Sequence, residues 1–371
     1  MRIGHRRTGG DGPAGAPARK LLTLALLWLL TACAPLPGAE EAGEERARLF
    51  LWEIRSGAGT VYLLGSIHLA KPDLYPLDRT IEDAFGRAST LVVEVNLGEV
   101  DEAARRRLVA QRGIYPSGAT LKDDVREDTY RMFEAFLAER EIPAGPFAMM
   151  RPWLASVTLT VLELQRLGYD PELGIDQHFL GRAAEEDKRI LELEALEFQI
   201  DLFAGLSREL QEEFLVYTIR EMRTLPDLID TITSSWSSGD SGRLERAILD
   251  PVKREERFRP IYAALFTDRN ARMAEAVRGY LEAGGTYFVV VGAGHVVGDD
   301  GILALLTGSG GERYSIRQLR AGGLGPVGTG RPRADEADGR DTLHAGERGA
   351  RSDLYPPGGR GCIVGAPARS P

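Results

Sequence analysis

Two histidines occupy the same local pattern at distant positions in the chain. Gly65-Ser66-Ile67-His68 and Gly292-Ala293-Gly294-His295 each place a histidine two residues past a small-residue turn. The turns follow the apolar runs Val61-Tyr62-Leu63-Leu64 and Tyr287-Phe288-Val289-Val290-Val291. Such runs are typical of buried strands, so both imidazoles should lie at the carboxyl ends of strands, where open α/β sheets bind ligands. Paired imidazoles at such an edge are suited to binding a divalent transition metal.

A carboxylate interrupts a third apolar run, Leu91-Val92-Val93-Glu94-Val95. A buried carboxylate needs a partner, so we expect a metal ion, an arginine or a dense set of hydrogen bonds around Glu94. His68, Glu94 and His295 together are the candidate ligands of manganese, cobalt or zinc. Taken alone, either histidine is better explained as a hydrogen-bonded structural residue, but the repeated pattern favours a site.

The amino-terminal segment has the features of an export signal. Basic residues precede the apolar stretch 21–30, which is too short to span a bilayer, and the segment ends at Leu30-Thr31-Ala32-Cys33. This ending resembles the lipobox of bacterial lipoproteins, which implies cleavage before Cys33 and lipidation of its thiol. The alternative is an ordinary secreted protein in which Cys33 is incidental.

Lipidation would keep the exported protein on a membrane, because two or more acyl chains anchor stably. Ala34 follows the cysteine, and in bacterial lipoproteins this implies the periplasmic face of the outer membrane. Residues 34–45 are rich in Ala, Gly and Glu and predict a flexible tether.

Composition excludes several classes of protein. The net charge of −9 argues against binding to nucleic acid. The second cysteine, Cys362, lies in the Gly/Arg/Pro-rich segment 321–371, which we predict to be disordered, so a disulfide framework and a zinc–cysteine cluster are both excluded. Residues 46–320 remain as one large folded domain.

The periodicity of this domain predicts an α/β fold with a mixed, largely parallel central sheet and flanking helices. Runs 49–54 and 60–64 predict a hairpin, and a helix over 78–89 leads to the strand that carries Glu94. The order strand, helix, strand predicts a right-handed crossover between adjacent parallel strands.

A large helical insertion, about residues 101–285, should separate Glu94 from the strand before His295. One strand candidate, 189–193, interrupts it. The apolar residues recur at helical spacing and predict helices over 102–111, 123–140, 153–167, 174–186, 207–222, 226–234, 242–249 and 269–282. A short helix over 299–306 and an edge strand over 314–319 complete the domain.

The two Gly-x-x-His units, Glu94 and Leu51-Trp52-Glu53-Ile54 together resemble the TraB/GumN family, which is related to the Tiki metalloproteases. Shorter matches lie at Gly174-Ile175-Asp176, Leu193-Glu194 with Gln199, and Asp268-Arg269-Asn270 with Met273. The resemblance spans about residues 46–320. It implies an erythromycin esterase/ChaN-like α/β core and, through the Tiki-like members, metal-dependent peptide hydrolysis.

The resemblance also implies roles for particular residues. His68 and His295 match the paired histidines of the family, Glu94 its acidic strand residue, and Arg269 with Asn270 its basic helix start. An ion held by two imidazoles and a carboxylate keeps open positions, where bound water is acidified and can attack a carbonyl. Glu94 could ligate the ion or act as the base.

Four further residues are candidates for supporting this chemistry. Arg269 at a helix start could stabilise an oxyanion, or it could be a surface arginine paired with Asp268. Glu194 could be a second base, although capping the helix that begins near Ala195 is the simpler role. Asp176 and Asn270 are candidates for hydrogen bonds to the metal ligands on the side that faces away from the ion.

The leading hypothesis is a membrane-tethered, metal-dependent hydrolase acting on a peptide or protein substrate. The first alternative is an envelope lipoprotein that uses the same histidines to bind haem or iron without turnover, since the ChaN-like relatives that the resemblance implies are lipoproteins that bind haem. The second is an envelope scaffold without a ligand.

Overall fold

The computed structural model describes residues 47–253, 255–308 and 313–324. The predicted export signal with Cys33, the predicted tether 34–45 and the tail from residue 325 onwards lie outside the described residues. None of the helices in the described part of the chain combines the length and the apolar character needed to cross a bilayer.

The central element is a six-stranded sheet. Its strands are β1 Arg48–Arg55, β2 Gly59–Ser66, β3 Thr90–Val93, β4 Arg189–Glu192, β5 Gly285–Gly292 and β6 Ser315–Arg320. They are arranged in the order β4-β3-β5-β2-β1-β6, in which β4, β3, β5 and β2 run parallel and β1 is antiparallel to both of its neighbours. The prediction of a mixed, largely parallel sheet is confirmed, as are the β1–β2 hairpin and the edge strand β6.

The register of the parallel strands aligns their carboxyl ends. Ser66 of β2 is opposite Gly292 of β5, and Val93 of β3 is opposite Val290 of the same strand. The chain therefore leaves β2, β3 and β5 at one edge of the sheet, where His68, Glu94 and His295 follow. The predicted adjacency of β2 and β3 is wrong, because β5 lies between them and pairs with both.

Helices surround this sheet. The α-helices are α1 Arg79–Arg87, α2 Glu102–Gly113, α3 Leu121–Asp124, α4 Glu127–Glu139, α5 Pro152–Arg166, α6 Ile175–Glu185, α7 Leu196–Ala204, α8 Arg208–Glu221, α9 Leu225–Ser237, α10 Ser241–Ile248, α11 Asp250–Lys253, α12 Arg259–Tyr262, α13 Asp268–Ala283, α14 Ala293–Val296 and α15 Ile302–Gly308. Short 3-10 helices span Pro72–Leu74, Gly145–Phe147, Pro171–Leu173 and Glu256–Phe258, and a π-helical turn spans Ala263–Thr267.

The crossover helix α1 shows how local sequence sets an element. Asp78 precedes the helix, and its carboxylate accepts a hydrogen bond from the backbone N–H of Thr80 at 2.7 Å. This bond satisfies one of the free N–H groups at the helix start. The apolar face of α1 is buried, and the ring of Phe85 packs 5.5 Å from the ring of Phe288 on β5.

One predicted helix is divided in the structure. The periodicity of 123–140 predicts a single helix, but the chain forms α3 and α4 with two extended residues, Val125 and Arg126, between them. The backbone N–H and the guanidinium Nε of Arg126 both donate to Glu212 Oε1, at 3.1 and 2.8 Å. This contact with α8 compensates for the helical hydrogen bonds lost at the break.

Candidate functional site

The side chains of His68, Glu94 and His295 meet at Gly292, the last residue of β5. A methyl group on Gly292 would lie 3.2 Å from His68 Nε2, 3.3 Å from Glu94 Oε1 and 3.6 Å from His295 Cδ2. The absent side chain of Gly292 therefore leaves the space onto which both imidazoles and the carboxylate are directed.

His68 is oriented by the start of helix α6. Its Nδ1 lies 3.0 Å from Asp176 Oδ1, and the opposite nitrogen, Nε2, faces Gly292. The helix can approach this closely because Gly174 has no side chain: a Cβ there would lie 2.4 Å from the carbonyl oxygen of His68. Burial favours the neutral imidazole, but the Asp176 carboxylate outweighs this effect and raises the pKa of His68 to about 9.

His295, in the short helix α14, is held by a chain of two hydrogen bonds. Asn270 Nδ2 donates to the carbonyl oxygen of Asp300 at 2.8 Å, which fixes the orientation of the amide. Asn270 Oδ1, an acceptor, then lies 2.6 Å from His295 Nδ1, so this nitrogen carries the proton and Nε2 keeps its lone pair. Burial, together with the nearby Arg269 cation, lowers the pKa of His295 to about 3 and keeps the ring neutral.

Both carboxylate oxygens of Glu94 accept hydrogen bonds. Oε1 accepts from the backbone N–H of Gly292 at 2.6 Å and lies 3.7 Å from His295 Nε2. Oε2 accepts from Arg269 at 2.6 Å and from Gln199 at 3.1 Å. Although burial raises the pKa of Glu94, the Arg269 cation outweighs burial and the net result is a pKa of about 2.

Arg269 is a buried residue that joins two carboxylates. Only 2% of its side chain is exposed; its Nη2 lies 2.6 Å from Glu94 Oε2 and 2.7 Å from Glu194 Oε2. Nε also donates to Glu194, and Nη1 donates to the carbonyl oxygen of Leu265 in the π-helical turn. Burial opposes the charged form, but the two carboxylates raise the pKa of Arg269 above its ordinary value.

These contacts overturn two of the simpler sequence-based interpretations. Arg269 is not a surface arginine paired with Asp268. Glu194 does not serve as a helix cap, because its carboxylate accepts from Arg269 and from Gln199, the latter at 3.0 Å. Both residues belong to the ion-pair network that holds Glu94.

Negative charge exceeds positive charge around the site. Three carboxylates contribute to it, those of Glu94, Glu194 and Asp176, and Arg269 is the cation buried among them. Arg272 lies 3.8 Å from Glu194 Oε1, but 53% of its side chain is exposed to solvent, which screens its charge. With neutral imidazoles the site is anionic, so it favours a proton on His68 or a bound cation.

The sequence of the chain matches a known protein family. A model of the TraB/PrgY/gumN family matches residues 50–312, a range that contains every residue of the site described above. The chain belongs to this family. The resemblance of its sequence motifs to TraB/GumN proteins is thereby confirmed.

Two relatives of this TraB/PrgY/gumN protein come from different bacteria. Uncharacterized protein YbaP of Escherichia coli (strain K12) is 24% identical over 245 residues, which cover 66% of this chain and 87% of YbaP. An uncharacterized protein of Treponema pallidum (strain Nichols) is 23% identical over 299 residues, which cover 77% of this chain and 89% of the relative. No solved structure matches the chain significantly.

In this TraB/PrgY/gumN protein, His68, Glu94 and His295 are residue types that bind transition metals, but their side chains are not spaced as a bound ion requires. His68 Nε2, Glu94 Oε1 and His295 Cδ2 border the same space, and His295 Nε2 lies 3.7 Å from Glu94 Oε1. The Nδ1 atoms of both rings lie against hydrogen-bond partners, as metal-binding histidines require. Within the described residues, however, no three His, Cys, Asp or Glu side chains are spaced to hold an ion as they stand. Binding of an ion would therefore require the side chains of His68, Glu94 and His295 to move closer to a common point.

Two contributors to the site, Gln199 and Gly292, were noted in the sequence only as parts of motifs and were given no role. Gln199 links Glu94 and Glu194, and the backbone N–H of Gly292 holds Glu94 Oε1. Gln199 carries a usable signal, because it is a polar residue on the otherwise apolar helix face formed by Leu196, Ile200 and Phe203. The backbone contact of Gly292 has no such signal, since any residue type provides an N–H group.

Proposed function

We propose that this chain is a membrane-anchored, metal-dependent hydrolase that cleaves peptide bonds at the site formed by His68, Glu94 and His295. The proposal depends on one observation: both imidazole rings and Glu94 Oε1 are directed at the space beside Gly292. The excess negative charge of the site supports it, because a divalent cation would compensate that charge.

The residues have distinct roles in this proposal. His68 and His295 would hold a divalent ion through Nε2, and Glu94 would hold it through Oε1. When bound, such an ion supplies Lewis acidity and acidifies a bound water. Glu94 acts as a ligand and not as the base, because Gly292, Arg269 and Gln199 already hold it in one orientation.

Four other side chains support these groups. Asp176 and Asn270 fix the rotation of the two imidazole rings. Arg269 and Glu194 position Glu94. An oxyanion role for Arg269 is disfavoured in this proposal, since all three of its nitrogen atoms already donate to protein oxygens.

The proposed location follows from the amino-terminal sequence. Cleavage before Cys33 and lipidation of its thiol would place the folded domain on a flexible tether at the periplasmic face of the outer membrane. Mass spectrometry of the membrane-extracted protein tests this, because a diacylglycerol-modified cysteine at the mature terminus is expected and a free thiol would contradict it.

Metal dependence is the central test of the proposed activity. After treatment with a chelator, the purified chain should lose cleavage of a fluorogenic peptide library by about tenfold or more, and manganese, cobalt or zinc should restore it. His68→Ala should retain less metal by elemental analysis and should not be restored. His178→Ala is the matched control, because His178 pairs with Glu82 and is not directed at Gly292.

The alternatives predict different outcomes. If no peptide is cleaved with any of the three metals and His68→Ala behaves like the wild type, the hydrolase proposal is wrong. A Soret shift on haem addition that is lost in both His68→Ala and His295→Ala, without cleavage, would instead indicate a haem-binding lipoprotein. Absence of both metal and haem binding would indicate a scaffold.

A further inference from the structure

A cavity of about 470 Å³ opens beside two of the three proposed reacting groups, His68 and Glu94. His68, Glu94 and Gln199 line one part of it, at the carboxyl end of β3. Substrate bound there would therefore contact the site and the rest of the cavity at the same time. What lines the remainder decides which substrates fit.

Much of the remaining wall is apolar and comes from two helices, α7 and α5. Leu196, Ile200 and Phe203 of α7 lie at helical spacing on the face that also carries Gln199. Helix α5 contributes Trp153 and Val157. A large apolar surface is thus attached to the same helix that binds Glu94.

Ring packing makes the apolar wall rigid. Trp153 stacks on Phe203 with ring centroids 6.1 Å apart and an angle of 19° between the planes. The indole N–H of Trp153 donates to the backbone carbonyl of Arg112 at 3.4 Å. The two rings are almost completely buried in the protein, so this wall keeps its shape without ligand.

The mouth of the cavity is charged. Glu102 and Arg105 of α2 and Glu172 before α6 line it and are exposed to solvent. Side chains of both signs at a mouth above an apolar chamber suit a polar backbone that enters with one apolar side chain directed inwards.

We propose that this cavity is a specificity pocket for a bulky apolar side chain, such as leucine or phenylalanine, next to the peptide bond that is cleaved. The inference rests on the proposed function and adds the substrate class. Burial of each additional methylene in such a pocket is worth roughly 10-fold or more in kcat/KM. Peptides with leucine or phenylalanine at this position should therefore be cleaved faster than matched alanine peptides.

Val157→Phe tests the pocket by filling it. The new ring should lower the ratio of kcat/KM for leucine and phenylalanine peptides to kcat/KM for the alanine peptide by about tenfold or more. Leu162→Phe is the matched control, because Leu162 lies on the same helix, is 38% exposed and does not line the cavity. Leu196→Ala should act in the opposite direction and improve cleavage of a tryptophan peptide.

The possible results separate this inference from the proposed function. If the wild type cleaves peptides without preference for apolar side chains, or Val157→Phe keeps the wild-type preference, the pocket assignment is wrong and the hydrolase stands. If a fatty acyl ester is cleaved and the peptides are not, the occupant is an acyl chain and the assignment is again wrong.

A binding measurement keeps the inference testable if the wild type cleaves nothing. Calorimetric titration with a phenylalanine-containing tripeptide should show binding to the wild type and to Leu162→Phe, and weaker binding to Val157→Phe. Equal binding to the wild type and both variants, or no binding to any of them, would overturn the pocket assignment independently of catalysis.

Discussion

Replacing Arg269 by methionine is expected to lower the free energy of unfolding by about 3–5 kcal/mol. The change removes the buried guanidinium that lies 2.6 Å from Glu94 Oε2 and 2.7 Å from Glu194 Oε2, and it leaves both carboxylates without that cation. Urea denaturation in the presence of a chelator measures the effect without a contribution from bound metal. The slope of the transition should stay unchanged.

Two further variants identify the cause of this loss. Arg272→Met removes a half-exposed guanidinium from the same helix and should change the stability by less than about 0.5 kcal/mol. Adding Glu194→Gln to Arg269→Met removes one of the unpaired charges and should recover part of the loss. If Arg269→Met unfolds at the urea concentration of the wild type, the ion pair is not what stabilises the buried carboxylates.

Placing a methyl group on Gly292 should lower peptide hydrolysis about 100-fold or more while the protein stays folded. The backbone of Gly292, with φ −50° and ψ 136°, is one that alanine adopts without strain, so Gly292→Ala acts through its side chain. That side chain would enter the space between His68 Nε2 and Glu94 Oε1. Metal retained after gel filtration should fall together with kcat/KM.

Gly279→Ala is the control for this experiment. Gly279 lies in helix α13, and an added Cβ there would have no heavy atom within 4 Å. Activity should be unchanged and stability should rise by roughly 0.5–1 kcal/mol, since alanine is the better helix residue. Wild-type activity in Gly292→Ala would mean that the reacting groups do not meet at this point.

Much of the secondary structure could be predicted from local patterns. The apolar runs before His68 and His295 are strands β2 and β5, and the helix predicted over 269–282 is α13, with ends that differ by one residue. These predictions succeed because side-chain periodicity and helix caps act over a few neighbouring residues. The break at Arg126 was missed, because it depends on Glu212 from another helix.

The candidate site could be predicted in part. His68, Glu94 and His295 were found from their positions after strands, and the register of β2, β3 and β5 brings them to one edge. Glu94 was predicted to need a metal ion, an arginine or a dense set of hydrogen bonds, and the structure supplies an arginine, Arg269, together with Gln199. A buried carboxylate therefore does not by itself indicate a metal.

The sequence alone determined which segments form strands and helices and which side chains emerge at strand ends, because these properties follow from residues a few positions apart. Only the tertiary structure decided that β5 separates β2 from β3, that Asn270 orients His295, and that one guanidinium pairs with two buried carboxylates. Those outcomes depend on which distant segments pack together, and packing minimises the free energy of the whole domain, in which every buried charge must find a partner.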